Sequence, residues 1–109
     1  MTEKNEAQVS IGRCVHYSLT SEEADKMNQR REDTRVNGDR MRRERPGFQA
    51  HVGNRLYAGD IVAMTVTKVL TDSGVNGQAV LDGNDSLWVL AANEGGGHGC
   101  WSWPVIEVA

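Results

Sequence analysis

Two groups of residues in this 109-residue chain have side chains that could bind a ligand. The first lies near the end of the chain, where a glycine-rich stretch at 95–99 contains His98 and precedes Trp101 and Trp103. Glycines let a backbone approach a ligand closely, and an aromatic face can stack on a base or a sugar. We place Trp88 in the same candidate surface. The alternative for all three tryptophans is the core of a small domain.

The second group is a cluster of arginines. Residues 30–45 hold seven arginines against four carboxylates, and the rest of the chain carries a net −6, with five Lys and Arg against eleven Asp and Glu. Guanidinium groups grip phosphates through charge-assisted hydrogen bonds, so such asymmetry can mark an anion-binding segment. We select Arg31, Arg35 and Arg42. The alternative is a solvated helix face on which arginines pair with the interleaved carboxylates.

Four further side chains form two mirrored units, Cys14-x-His16 and His98-x-Cys100. Residues two apart on a strand share a face, so pairing of the first and last strands would bring all four together as a tetrahedral zinc site. The spacing is not that of a zinc finger, and we expect no metal. Two cysteines without an export signal indicate free thiols in the cytoplasm.

Composition and motifs narrow the function classes. The net charge of −3 argues against nucleic-acid binding, and no apolar run reaches the ~20 residues of a membrane span. The chain has no phosphate-binding loop motif and no dinucleotide-binding fingerprint. It also has no Ser-His-Asp order with a supporting motif, as a catalytic triad would require. We therefore expect no enzyme and no cofactor.

The elements that position these residues begin with a strand within 8–19, which places Val15, Tyr17 and Leu19 on one face. Thr20-Ser21-Glu22-Glu23 is a capping box and predicts a helix from Ser21 to about Arg35. Asn37-Gly38 then predicts an interruption, followed by a second short helix over 39–45 that ends at Pro46-Gly47.

From residue 48 the apolar period changes to two, as in strands. One predicted strand has Val62, Met64, Val66 and Leu70 on a single face, and the next has Val75, Gly77, Ala79 and Leu81. Asp82-Gly83-Asn84 predicts a tight hairpin, and apolar strands follow at 87–92 and 100–108.

These elements predict an α+β fold. It is a small antiparallel β-barrel, SH3-like, or a strongly bent sheet, with a helical insertion at 21–45 after the first strand and a barrel region at 48–108. Residues 8–109 form the single domain and residues 1–7 a disordered tail.

Several short motifs occur in a characteristic order over residues 11–104. They are Gly12-Arg13, Val15-His16-Tyr17, His51-Val52-Gly53-Asn54, Gly59-Asp60, Val80-Leu81-Asp82-Gly83-Asn84-Asp85 with Trp88, Glu94-Gly95 and Trp101-Ser102-Trp103-Pro104. In this order they resemble a family of small uncharacterised proteins encoded by bacteriophages and prophages. The resemblance implies expression in the cytoplasm of a bacterial host cell. It brings no chemistry with it.

Two functions follow as expectations. The first is a phage accessory protein, of the kind that counters host defence, which captures a small anionic, nucleotide-type ligand without catalysis. The second is an interaction module that covers the surface of a host or phage protein. A homodimer or higher oligomer could bring the arginine helix of one subunit to the glycine loop of another.

Overall fold

The computed structural model describes residues 8–105, which form one helix and five strands. In chain order they are β1 (Cys14–Ser18), α1 (Ser21–Glu44), β2 (Ile61–Val69), β3 (Gly74–Val80), β4 (Ser86–Glu94) and β5 (Cys100–Ser102). The strands close into a barrel in the order β1-β2-β3-β4-β5, with β5 paired to β1. The prediction of a small α+β barrel with a helical insertion after the first strand is confirmed. The predicted tail at 1–7 and the end of the last strand at 106–108 lie outside the described residues.

One seam of the barrel differs from the antiparallel prediction. Every neighbouring pair is antiparallel except β4 and β5, which run parallel, with Asn93 opposite Cys100 and Glu94 opposite Trp101. The reason is the number of strands. Five strands that alternate in direction cannot close on themselves without one parallel neighbour, and the short β5 takes that place.

The helix is continuous, so the predicted break at Asn37-Gly38 is wrong. The capping box is present as predicted, with Thr20 Oγ1 accepting from the Glu23 backbone N–H at 3.1 Å and Glu23 accepting from the Thr20 N–H at 3.0 Å. Gly38 is buried in the helix interior at an ordinary contact distance from Thr34. A glycine weakens a helix by only about 1 kcal/mol relative to alanine, which neighbouring packing can offset.

A stripe of α1 is buried at alternating spacings of three and four residues. Its members are Ala24, Met27, Arg31, Thr34 and Gly38. Only the first two are apolar and join the barrel core. The stripe therefore changes from apolar to polar along the helix, and its second half packs on the segment between α1 and β2.

The core fills the barrel with inward-facing side chains. Val15, Tyr17 and Leu19 are buried as predicted, as are Val75, Gly77 and Ala79 of β3 and Leu81 just after it. Met64 and Val66 are buried too, but Leu70 is exposed. Leu70 lies just beyond β2, and after the register shift between Val66 and Lys68 no residue of β2 is buried. Strand alternation predicts burial only up to such a bulge.

Within residues 8–105, α1 is neither apolar enough nor uncharged enough to count as a candidate membrane span.

Candidate functional site

A buried ion pair joins the helix to the β3–β4 hairpin. Arg31 Nη2 lies 2.6 Å from Asp85 Oδ1, and Arg31 Nε donates to Asp85 Oδ2 at 3.4 Å. The two side chains are 7% and 3% exposed. Arg31 Nη1 also donates to the backbone carbonyl of Asn54. Both charges are therefore out of water, and each is compensated by the other with additional hydrogen bonding.

Two glycines make room for the Arg31 guanidinium. A Cβ built on Gly53 would lie 2.6 Å from Arg31 Cζ, and one on Gly83 would lie 2.8 Å from Arg31 Nη2. Gly53 and Gly83 also form a β-bridge to each other. Gly83 has φ +150°, a backbone conformation that side chains rarely adopt. No larger residue fits at either position without moving the arginine or the backbone.

Asparagines of the two loops complete this arrangement. Asn84 Oδ1 accepts from Val52 N at 2.9 Å, and Asn84 Nδ2 donates to Ala50 O at 2.8 Å. Asn54 Nδ2 donates to Asp82 Oδ2 at 2.6 Å. We call this set of residues the clasp, because it fastens the helix, the connecting segment and the hairpin together. The clasp comprises Arg31, Gly53, Asn54, Asp82, Gly83, Asn84 and Asp85.

His51 lies at the edge of the clasp. Its backbone N–H donates to Thr34 Oγ1 at 3.0 Å, which ties residue 51 to the helix. Its Nδ1 is buried, has no hydrogen-bond partner, and lies 3.9 Å from Asp85 Oδ2. The side chain as a whole is 24% exposed. One nitrogen thus faces the buried carboxylate while another part of the ring reaches the surface.

Two clefts meet at His51. The helix cleft, about 350 Å³, lies between α1 and the connecting segment. The hairpin cleft, about 470 Å³, lies along the β3–β4 turn. The helix cleft is lined by Asn28, Arg31, Glu32, Thr34, Arg35, His51, Val52, Gly53 and Arg55. The hairpin cleft is lined by Arg30, Gln49, His51, Val80, Gly83, Asn84, Asp85 and Ser86.

The predicted arginines differ in their surroundings. Arg31 belongs to the clasp and lines the helix cleft. Arg35 lines the same cleft and pairs with Glu32 at 2.6 Å on the exposed helix face. That hydrogen bond lowers the pKa of Glu32 and raises the pKa of Arg35. Arg42 pairs with Asp39 at 3.2 Å further along the helix and lines neither cleft.

The tryptophans lie elsewhere. Trp101 is 1% exposed, and its Nε1 donates to Ser73 O at 2.8 Å, so no ring face is open to a ligand. Trp103 packs edge-on against Trp101, with centroids 5.5 Å apart, and Arg13 lies over its ring. Trp88 is 57% exposed on the outer side of β4. None of the three lines the helix or hairpin cleft.

The glycine loop is fastened to the barrel by its ends. Gly95 N donates to Trp101 O at 2.9 Å and Gly99 N donates to Ser18 O at 2.7 Å. The His98 ring packs over Gly59, where a Cβ would lie 2.9 Å from its Nε2. The predicted site residues therefore separate within one chain. Arg31 and Arg35 share a cleft, whereas His98, Trp88 and the Trp101–Trp103 pair do not join them there.

The four candidate zinc ligands lie on β1, in the glycine loop and at the start of β5. Cys14 and Cys100 are free thiols. Among residues 8–105, no three His, Cys, Asp or Glu side chains are grouped closely enough to hold a metal ion.

Sequence reasoning missed His51, Arg30 and Arg55 as cleft residues. Arg55 lies over the Tyr57 ring at 5.5 Å and, within the described part of the chain, forms no ion pair. The only signal was the motif His51-Val52-Gly53-Asn54, which is one of the motifs that carry the resemblance. Its partner, the Asp82–Asp85 turn, lies about thirty residues away and cannot be paired with it from local pattern.

No protein-family model, curated protein or solved structure matches this chain.

Proposed function

We propose that this protein binds a small anionic ligand in the helix cleft and performs no catalysis. A volume of about 350 Å³ lies within the range of small-molecule sites. Three guanidinium groups line the cleft, together with the His51 ring and the amide of Asn28. Guanidinium groups bind phosphate and carboxylate oxygens through paired, charge-assisted hydrogen bonds.

The charge balance of the cleft is the observation that carries this proposal. Arg31 is compensated by Asp85, and Arg35 by Glu32. Arg55 lines the cleft, and within residues 8–105 no carboxylate pairs with it. The lining therefore keeps an excess positive charge next to a guanidinium that the clasp already holds in one orientation. An anion would supply the missing counter-charge at little ordering cost.

We further propose a nucleotide-type ligand, a phage accessory role and an SH3-like barrel. A nucleotide-type ligand would place its phosphates in the cleft and its base against the exposed Val52 or a tryptophan of a second subunit, because no Trp, Tyr or Phe is among the described residues that line the cleft. A phage accessory role in the cytoplasm of a host rests on the resemblance. The SH3-like prediction is supported by a closed five-stranded barrel.

Calorimetric titration with ADP and with adenosine tests this proposal. We expect ADP to bind and neutral adenosine not to bind. Arg55→Gln should weaken ADP binding by about 10- to 100-fold, since a hydrogen bond to a charged group contributes ~1.5–3 kcal/mol. Arg43→Gln is the matched control, because this substitution removes the same charge from the last turn of α1 and Arg43 lines neither cleft. Equal losses in both variants, or equal binding of adenosine, would contradict the proposal.

A second candidate function is supported by the outer face of the barrel. Ile61, Val80, Trp88 and Leu90 are each more than half exposed. Val80 pairs with Ala63 on β2 and with Ser86 on β4, and Trp88 lies two residues beyond Ser86. The side chains of Val80 and Trp88 are thus diagonal neighbours. Exposed apolar patches of this kind mark protein-interaction sites, so this face suits a module that covers another protein.

A photo-crosslinking residue at position 88 tests this alternative in cells. We expect a discrete crosslinked partner from position 88 and none from position 36, which is equally exposed but lies on the helix. The same pattern of products from both positions would contradict a specific partner on the barrel face.

A further inference from the structure

We propose that the ligand carries two anionic groups separated by a spacer, which straddle the His51 ring so that one occupies the helix cleft and the other the hairpin cleft. This inference rests on the proposed function, because the helix cleft supplies one of the two subsites. It names a ligand class: two phosphate groups held apart by a sugar or by a third phosphate, rather than a single phosphate or a diphosphate.

The shared wall of the two clefts is the first support. His51 is the residue that lines both clefts. His51 borders two spaces that each have a cationic side chain of their own, Arg55 in the helix cleft and Arg30 in the hairpin cleft. Like Arg55, Arg30 forms no ion pair within the described residues. Each subsite therefore has positive charge available for an anion.

The buried surroundings of His51 are the second support. Its Nδ1 is without a hydrogen-bond partner and lies 3.9 Å from Asp85 Oδ2. The Asp85 carboxylate is itself fixed by Arg31. A proton on Nδ1 would face this carboxylate, which leaves the far side of the ring to meet ligand oxygens. Buried polar atoms are almost always paired, and ligand binding that turns the ring toward Asp85 would satisfy this one.

The position of His51 sets the ligand class. Because this residue lines both clefts, two anionic groups that occupy one cleft each have its side chain between them. Directly linked phosphates share one bridging oxygen and leave no room for a side chain between them. Two phosphates with a spacer between them reach further apart.

The fixed geometry of the clasp makes the two subsites act together. The hairpin cleft is lined by Gly83, Asn84 and Asp85, and the helix cleft by Arg31 and Gly53, and these residues contact one another across the clasp. When two binding groups are joined in a ligand that matches the spacing, the second contact forms at a high effective concentration. A ligand of the right length should therefore bind far more tightly than its parts.

Calorimetric titration with inorganic phosphate, pyrophosphate and tripolyphosphate tests this inference. We expect tripolyphosphate to bind at least tenfold more tightly than pyrophosphate, and pyrophosphate to bind about as tightly as phosphate. Arg43→Gln is titrated in parallel as the control for loss of one positive charge outside the clefts. Arg30→Gln should reduce the preference for tripolyphosphate to within about threefold, whereas Arg43→Gln should keep the preference. His51→Gln should remove the same preference, and thermal melting of each variant checks that it is folded.

The outcomes separate the inference from the proposed function. Binding of phosphate that depends on Arg55, with no preference for tripolyphosphate and no effect of Arg30→Gln, would overturn the two-subsite inference and leave the anion-binding proposal standing. No binding of any of the three anions, with ADP also failing to bind, would overturn both.

Discussion

The clasp and the tryptophan end of the barrel, which is formed by Trp101 and Trp103, stabilise the fold by different kinds of interaction. The tryptophan end is apolar: Trp101 fills the core, and Trp103 packs on its edge. The clasp is polar, and its central contact is a buried pair of full charges with two glycines pressed against the guanidinium. Apolar packing tolerates small errors of orientation, whereas a buried ion pair stabilises only when its hydrogen bonds are complete.

This difference bears on where function can lie. A side chain that is fully buried in an apolar core has no surface left for a ligand, which applies to Trp101. The clasp instead fixes charged groups in place and leaves two clefts open at its border. Pre-oriented charges beside an open cleft are what a binding site requires. We therefore propose that an anionic ligand binds on the clasp side, and we assign a structural role to Trp101.

The largest expected effect is on the apolar side. Trp101→Ala should reduce the free energy of unfolding by about 3–5 kcal/mol, because it leaves a cavity in the core and removes the edge contact with Trp103. Trp88→Ala should change it by no more than about 0.5 kcal/mol, since Trp88 is exposed. Chemical denaturation of both variants checks the comparison, and similar losses in the two would show that Trp101 is not the core residue described.

Breaking the clasp should have an effect of comparable size by another route. Asp85→Ala should cost about 3–5 kcal/mol, because it leaves the Arg31 guanidinium buried without its partner. The double variant Arg31→Met with Asp85→Leu should lose less than Asp85→Ala alone, as buried ion pairs can often be replaced by apolar residues of similar volume. Urea denaturation measures both. A double variant that is less stable than the single one would contradict a simple ion-pair account.

A smaller effect should appear as a dependence on pH. Burial and hydrogen bonding to Glu23 raise the pKa of Tyr17, so the folded protein holds this proton more tightly than the unfolded chain does. The resulting stability is complete below the ordinary tyrosine pKa of about 10 and is lost as pH rises above it. Tyr17→Phe should flatten the decline in melting temperature between pH 9 and pH 11 by a few degrees, on the order expected for ~1 kcal/mol. Tyr57→Phe is the control, because Tyr57 is exposed, and an equal flattening there would contradict the assignment.

The smallest expected effect is a gain in stability. Gly38→Ala should stabilise the protein by about 0.5–1 kcal/mol, because alanine restricts the unfolded chain and is a better helix former. Gly38 has a helical backbone, and a Cβ there would lie 3.5 Å from Thr34 Cγ2, which is an ordinary contact. Gly53→Ala is the matched comparison and should destabilise, since its Cβ would meet the Arg31 guanidinium. Thermal melting of the two variants should therefore give shifts of opposite sign.

The sequence predicts those parts of the molecule that local pattern controls. Alternation identified the inward face of β3 and the burial of Val15 and Tyr17, and the capping box identified the start of α1. The pattern failed at Leu70, which is exposed and lies beyond the register shift between Val66 and Lys68, and at Gly38, where a helix continues through a residue typical of a break. A shift in strand register and a continuous helix override the local preference at these two positions.

The candidate site was less accessible to sequence reasoning. Arg31 and Arg35 were selected from charge asymmetry, and they do share a cleft. His51 was not selected, because nothing near it in sequence indicates Asp85 as its neighbour. Contacts between residues more than thirty positions apart depend on how the connecting segment packs against the β3–β4 turn, and a single sequence carries no local trace of that.

A chemical-shift map of tripolyphosphate binding tests the central claim most directly, namely that the clasp side and not the tryptophan end holds the ligand. The amides of ¹⁵N-labelled protein would be followed as tripolyphosphate is added. We predict that the saturable shifts cluster at His51, Gly53 and Gly83, with the amides of 95–99 and the indole N–H of Trp101 unmoved. Saturable shifts at the glycine loop and the tryptophans, with the clasp amides unchanged, would contradict the account.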